Sequence, residues 1–171
     1  MTYAIQQPAP RRSVGMRRKF RYTGYLLGLT IACLLADPSV AASCGRIDRT
    51  ARIRINEYAV TVELAVSEQE KTCGLSLRDE LPIDHGMLFI YSSDRMLRFW
   101  MKDTRMPLSI AFIASTGKIL NILEMKPMDT GNIYRSTAPA RYALEMPTKW
   151  FVDHRVQPGD QVTFSLLGRD E

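Results

Sequence analysis

The segment Val60-Thr61-Val62-Glu63-Leu64-Ala65-Val66 places apolar residues at every second position and predicts a β-strand with one buried face. Downstream, Met87–Tyr91 is apolar on both faces, which is typical of a strand in the middle of a sheet. Ile110–Ala114 and Lys118–Met125 flank the turn sequence Ser115-Thr116-Gly117, and this arrangement predicts a β-hairpin. The chain is therefore expected to be rich in short strands.

Two further strands are predicted at Ala140–Met146 and Gln161–Leu167. Helical signals are short: Ser67-Glu68-Gln69-Glu70 is a capping box, Gly74 provides a stop after it, and Thr148–His154 is a second candidate. The order of elements does not alternate strand with helix, so a doubly wound parallel sheet is not expected. The pattern predicts a mostly-β domain, a compact two-sheet sandwich or partly open barrel with one or two short helices.

The first 42 residues differ in composition from the rest of the chain. A basic stretch is followed by the apolar run Tyr22–Ala36 and the small-residue tract Ser39–Ser43. This order predicts a secretory signal cleaved after Ala41 or Ala42, and the alternative is an uncleaved anchor in the inner membrane. We therefore expect a leader over residues 1–42, a single mostly-β domain over residues 43–171, and export to the periplasm.

The formal net charge of +5 comes from the leader. Six of the 23 Lys and Arg residues and one of the 18 Asp and Glu residues precede residue 43, which leaves 17 of each sign in the domain. A protein that binds nucleic acid through its phosphates normally keeps a basic surplus in the folded domain. We therefore do not expect a nucleic-acid partner.

Two cysteines, Cys44 and Cys73, remain once the leader with Cys33 is removed. In an exported protein they form a candidate disulfide, which would stabilise the fold by about 3–4 kcal/mol in the chain-entropy model. The alternatives are inert thiols, or Cys73 as a nucleophile assisted by His85 or His154.

The segment Met96–Lys102 is the strongest candidate for a presented surface. A strand pleat would place Leu97, Phe99 and Met101 on one face and Arg98, Trp100 and Lys102 on the other. An indole among cations, followed by a polar loop, suits stacking and orientation of a carbohydrate or another small polar ligand. The alternative is that the indole packs under a loop whose polar side chains bond to the backbone. The candidate ligand-binding residues are Trp100, Lys102, Asp103, Thr104 and Arg105, with His85 and Tyr91 at the margin and Glu145 as an opposing acid.

Acid–base catalysis is an alternative to simple binding. Asp103 and Glu145 are the candidate catalytic carboxyls of an envelope hydrolase. In the Ala140–Met146 strand, however, Glu145 alternates with Leu144 and Met146, so we expect it on a solvated face beside Arg141. A third possibility is a non-catalytic scaffold for a protein partner of the cell envelope, with Trp100 on a flat exposed patch.

No metal or cofactor is expected. The two histidines lack zinc-ligand spacing. The seven methionines after residue 42 could suggest a soft metal such as copper(I), but they are scattered along apolar strand positions and are better explained as core residues.

Six short motifs follow one another in a fixed order: Gly74–Arg78, Gly86–Phe89, Phe99–Thr104, Pro107–Ile113, Tyr142–Met146 and Pro158–Asp160. Together they resemble the bacterial and archaeal family called domain of unknown function 192, over residues 53 to 164. The resemblance implies a compact, mostly-β and often exported domain, and it implies no established activity. The family usually has Met, Asn and Asp where this chain has Ser76, Asp103 and Ser109, so any acid or ligand role of that Asp is in doubt here.

Overall fold

The computed structural model describes residues 44–164, so the predicted leader lies outside the described residues. The strands within this range are β1 (Thr50–Ile55), β2 (Tyr58–Ala65), β3 (His85–Arg95), β4 (Arg98–Phe99), β5 (Leu108–Ile113), β6 (Ile119–Met125), β7 (Tyr134–Arg135), β8 (Ala140–Pro147) and β9 (Val162–Phe164). The helices are α1 (Glu68–Cys73) and α2 (Trp150–Asp153). Within the described residues no helix is long and apolar enough to cross a bilayer.

One curled sheet, open like a half barrel, forms the body of the domain. Its seven strands run in the order β6-β5-β8-β3-β2-β1-β9, and a separate two-stranded ribbon joins β4 to β7. The pair β2 and β3 is parallel, and every other neighbouring pair is antiparallel. The predicted mostly-β class with short helices is confirmed, with an open curled sheet as its form.

The two faces of this sheet carry separate apolar clusters. On one face, Leu144 and Met146 of β8 pack with Trp150 and Phe151 of α2. On the other face, Ala143 packs with side chains of β3 and β5 and with Leu97, Met101 and Met106 from the segment around β4. The central strand β8 therefore has both faces covered, and this determines the environment of its polar residues.

Local signals position the short elements as expected. Ser67 Oγ accepts the backbone N–H of Glu70 at 3.2 Å, Glu70 Oε2 accepts that of Ser67 at 2.7 Å, and α1 ends at Gly74. The predicted hairpin is formed by β5 and β6. Gly117 adopts φ +86° in the turn, and a Cβ there would clash with the Val162 carbonyl oxygen.

The structure differs from the sequence-based expectation in three elements. The strands β1 and β7 were not predicted, and the long strand expected over Met96–Lys102 is reduced to Arg98–Phe99. The last predicted strand, Gln161–Leu167, is present as Val162–Phe164, and its predicted end lies outside the described residues.

Candidate functional site

The segment around β4 presents its side chains as the pleat predicts, although only two residues form the strand. Leu97 and Met101 are buried, whereas Trp100 is 53% exposed. The backbone is held across the ribbon, because Leu97 N–H donates to Ser136 Oγ at 2.9 Å and Ser136 N–H donates to the Leu97 carbonyl at 3.1 Å. The indole therefore leaves the apolar cluster and stands at the surface.

The loop after Trp100 is fixed by its neighbours on both sides. Asp103 adopts φ +55°, and its carbonyl accepts the N–H of Leu77 at 2.8 Å. The carbonyl of Thr104 accepts the N–H of Met128 at the same distance, 2.8 Å. Two backbone hydrogen bonds thus anchor the loop that carries the exposed side chains of Lys102 and Asp103.

Glu145 is the main correction to the sequence analysis. It was expected on a solvated face beside Arg141, but it is only 5% exposed. Arg141 instead donates to Asp94 at 2.7 Å. The expectation was wrong because alternation fixes which face a residue takes and not whether that face is covered: Glu145 lies opposite Met87 of β3 and Ile110 of β5, under the second apolar cluster.

The Glu145 carboxyl has no hydrogen-bond partner in residues 44–164. In the same range, every side-chain oxygen that is sealed from solvent does have a partner. The carboxyl oxygens must therefore retain contact with solvent, and Glu145 lines an open cleft where that contact is available. Burial raises the pKa of Glu145 to about 8, and the positive charge of Arg78 opposes this shift.

This cleft, which we call the Glu145 cleft, has a volume of about 380 Å³. It brings together six of the eight predicted ligand-binding residues, with the carboxyl of Glu145 and the indole of Trp100 lining the same space. The six are Tyr91, Trp100, Lys102, Asp103, Thr104 and Glu145. Lys71, Leu75 and Phe89 also line the cleft and were not predicted, whereas Arg98 and Phe99 come from the Met96–Lys102 segment that the sequence singles out.

His85 and Arg105 do not line this cleft. His85 is exposed at the start of β3, in a separate cleft with Thr61 and Glu63. Arg105 forms an exposed ion pair with Asp79 at 3.0 Å. These two residues were candidates only because they lie close to the motifs in the sequence. They do not lie with the other candidate residues in the structure.

Two of the cations that line the cleft lie over aromatic rings that also line it. The Lys71 ammonium lies 4.7 Å from the centre of the Tyr91 ring, and the Lys102 ammonium lies 5.7 Å from that of Trp100. Lys71 also pairs with Glu68 at 2.6 Å. Burial raises the pKa of Tyr91 to about 12, so its hydroxyl stays protonated at neutral pH.

Cys44 and Cys73 form a disulfide, as predicted. This bond rules out Cys73 as a free nucleophile. Both cysteines line the Glu145 cleft, where the bond joins the start of the described chain to the end of α1. The disulfide is thus part of the cleft wall.

Ser109 lies on the opposite face of the sheet. Its hydroxyl donates to Glu124 at 2.6 Å and accepts the N–H of Lys149 at 2.8 Å, so it holds the turn that leads into α2. No group of three or more His, Cys, Asp or Glu side chains in residues 44–164 is arranged to hold a metal ion.

The described domain corresponds to a known family. The family model DUF192, described as an uncharacterized ACR, matches residues 51–164, which is more than half of the chain. This chain belongs to the DUF192 family. The match includes both strands and loops of the Glu145 cleft, and the resemblance inferred from the six motifs is confirmed.

Two solved structures are similar to the domain. One, a protein named provisionally as a transcription regulator from Sinorhizobium meliloti 1021, is 34% identical with a TM-score of 0.65, over 68% of this chain and 94% of that one. The other, a protein of unknown function from Novosphingobium aromaticivorans DSM 12444, is 27% identical with a TM-score of 0.63, over 67% of this chain and 85% of that one. No curated protein is significantly similar to the chain.

Proposed function

We propose that this DUF192 protein is an exported binding protein that holds a small polar ligand, of the carbohydrate class, in the Glu145 cleft. One observation carries the proposal: a buried carboxyl without a protein partner shares a cleft with a half-exposed indole. The Glu145 carboxyl is largely desolvated and has only the solvent of the cleft to bond to. A ligand hydroxyl that bonds to Glu145 would give the carboxyl a fixed partner in place of that solvent.

The chemistry of the cleft supports a sugar. Its volume of about 380 Å³ falls in the range of small-ligand sites. An aromatic face packs against the C–H face of a sugar ring, while a protonated carboxyl can both donate to and accept from hydroxyl groups. The disulfide in the cleft wall is typical of an oxidising compartment and supports export to the cell envelope.

Concavity at Trp100 favours ligand binding over the scaffold alternative. The scaffold hypothesis places the indole on a flat patch, whereas Trp100 lines a cleft together with Tyr91 and Phe99. The balance of 17 basic and 17 acidic residues after residue 42 also gives no support for carrying over a nucleic-acid role from the regulator of Sinorhizobium meliloti.

Removal of the indole tests the proposal. A panel of mono- and disaccharides is screened for an increase in the melting temperature of the protein. We expect Trp100→Ala to abolish the increase given by any binding sugar and to leave the melting temperature without ligand unchanged, because the indole is half exposed. The matched control is Ile83→Ala, an apolar residue that is 77% exposed and does not line the cleft. An increase of full size in the Trp100→Ala variant would refute the proposal.

Hydrolysis is the second candidate, because two carboxyls line the same cleft. Glu145, kept protonated by burial, has the properties of a general acid, and Asp103 supplies a second carboxyl at the rim. With aryl glycosides as substrates, we expect Glu145→Gln to reduce turnover by at least about 100-fold and to retain binding that depends on Trp100. Equal turnover in the variant and the parent would exclude this function.

A further inference from the structure

The rim of the Glu145 cleft carries more positive than negative charge. Three cations line the cleft, Lys71, Arg98 and Lys102, against the carboxyls of Asp103 and Glu145. Lys71 is paired with Glu68. Arg98 and Lys102 are exposed, and neither forms an ion pair with any residue from 44 to 164. Asp103 offsets one of these two charges, so the open rim keeps a net positive charge when Glu145 is protonated.

We propose that the ligand of this cleft is an acidic sugar, bearing a carboxylate, and that Glu145 carries a proton while the ligand is bound. The inference rests on the proposed function and specifies its ligand class. Arg98 and Lys102 attract the ligand carboxylate, and the Glu145 hydroxyl donates a hydrogen bond to the ligand. A cationic ligand would be repelled by the same rim, and a neutral one would leave the two cations unused.

Protonation of Glu145 is what makes an anionic ligand compatible with this site. An ionised carboxylate and a ligand carboxylate in one partly buried cleft would repel each other strongly, because the low local dielectric weakens screening. A protonated carboxyl removes the repulsion, and its hydrogen bond to an anionic oxygen belongs to the stronger class of such bonds.

The groups that face Glu145 set the pH range of binding. Three of these groups are Lys71 of α1, Arg78 of the loop after α1, and Tyr91 of β3. The β4 segment contributes Arg98, Lys102 and Asp103. Arg78 is occupied by Glu63, to which it donates at 2.8 Å, so its effect on Glu145 is partial. Since burial raises the pKa of Glu145 to about 8, the free protein holds the proton at pH 7 and loses it above about pH 8.

The experiment is calorimetric titration of the protein with glucuronate, glucose and glucosamine between pH 6.5 and 9.5. At pH 7 we expect glucuronate to bind at least tenfold more tightly than either other sugar. Above about pH 8 its affinity should fall by up to tenfold per pH unit, with uptake of one proton seen as a difference between buffers of different ionisation enthalpy. In Glu145→Gln the affinity should be independent of pH over this range.

The cations are tested separately. Arg98→Gln and Lys102→Gln should each weaken glucuronate binding several-fold. The matched control is Arg54→Gln, because Arg54 is an exposed arginine of β1 that does not line the cleft. The pH dependence of the unmodified protein needs no variant, so the test stands even if Glu145→Gln fails to fold.

The outcomes separate this inference from the proposed function. Preferred binding of glucose or glucosamine that still depends on Trp100, or glucuronate binding that is constant from pH 7 to 9.5, would overturn the inference and leave the proposed function intact. Binding by no sugar in the panel would overturn both.

Discussion

At position 145 a carboxyl occupies a site whose strand neighbours on the same face are apolar. Met87 and Ile110 lie opposite it in β3 and β5, and Ala143 precedes it by two residues. Such a position would be more stable with an apolar side chain, because an unpaired polar group is expensive to bury. A carboxyl at such a position, where it reaches a cleft, is typical of functional sites, which often lower the stability of the fold.

The raised pKa of Glu145 makes stability depend on pH. The pKa is about 8 in the folded protein and 4.5 in a model peptide, so between these values only the folded state keeps the proton. Folded protein therefore loses stability as the pH rises from about 4.5 to about 8, by at most about 1.4 kcal/mol per pH unit. Hydrogen bonds from the Ser67 and Val66 amides lower the pKa of Glu70 to about 2. Its titration therefore affects stability only below about pH 4.5, outside the range in which Glu145 acts.

Urea unfolding from pH 5 to pH 8 measures this effect. We expect the free energy of unfolding of Glu145→Gln to change less with pH than that of the parent, so that the variant gains relative stability as the pH rises. Glu80→Gln, the same substitution at an exposed carboxyl, should follow the parent. Parallel curves for Glu145→Gln and the parent would show that Glu145 titrates normally.

At the level of elements, the sequence predicts what local contacts determine. The helix α1 follows from a capping box whose two hydrogen bonds span three residues, and the β5–β6 hairpin follows from a short turn. The exposure of Trp100 also follows from a local pleat. These features do not depend on which strands become neighbours.

The ribbon and the cleft depend on contacts between distant parts of the chain. The amide of Leu97 is held by Ser136, 39 residues away, and no short-range pattern indicates this pairing. Glu145 was misplaced for the same reason, since alternation does not reveal that β8 lies between β3 and β5. One signal was available: a single charge within the otherwise apolar run Tyr142–Met146 is typical of a functional residue in a central strand.

For the whole molecule, the two faces of the curled sheet are covered in different ways. The face covered by α2 is closed by Trp150 and Phe151, whose packing completes one apolar cluster. The other face is covered by the ribbon, the loop after it and the end of α1, which leave the Glu145 cleft between them. Changes at the cleft rim should therefore affect binding more than folding.

The disulfide closes a loop of the chain and also forms part of the cleft wall. The bond joins Cys44 to Cys73, which are 29 positions apart, and the segment between them contains β1 and β2. We expect the double variant Cys44→Ser/Cys73→Ser to lose about 3 kcal/mol of unfolding free energy, since the unfolded chain gains conformational freedom. Its affinity for a cleft ligand should also fall, because the end of α1 loses its covalent tie.

Urea unfolding and sugar titration, each with and without reductant, check both effects. Reductant should lower the stability and affinity of the parent towards those of the double variant, and it should leave the double variant unchanged. That comparison controls for the serine substitutions themselves. If the reduced parent kept its full stability, the disulfide would not stabilise the fold. If it lost stability but bound the ligand with unchanged affinity, the cleft wall would be shown to hold its shape without the bond.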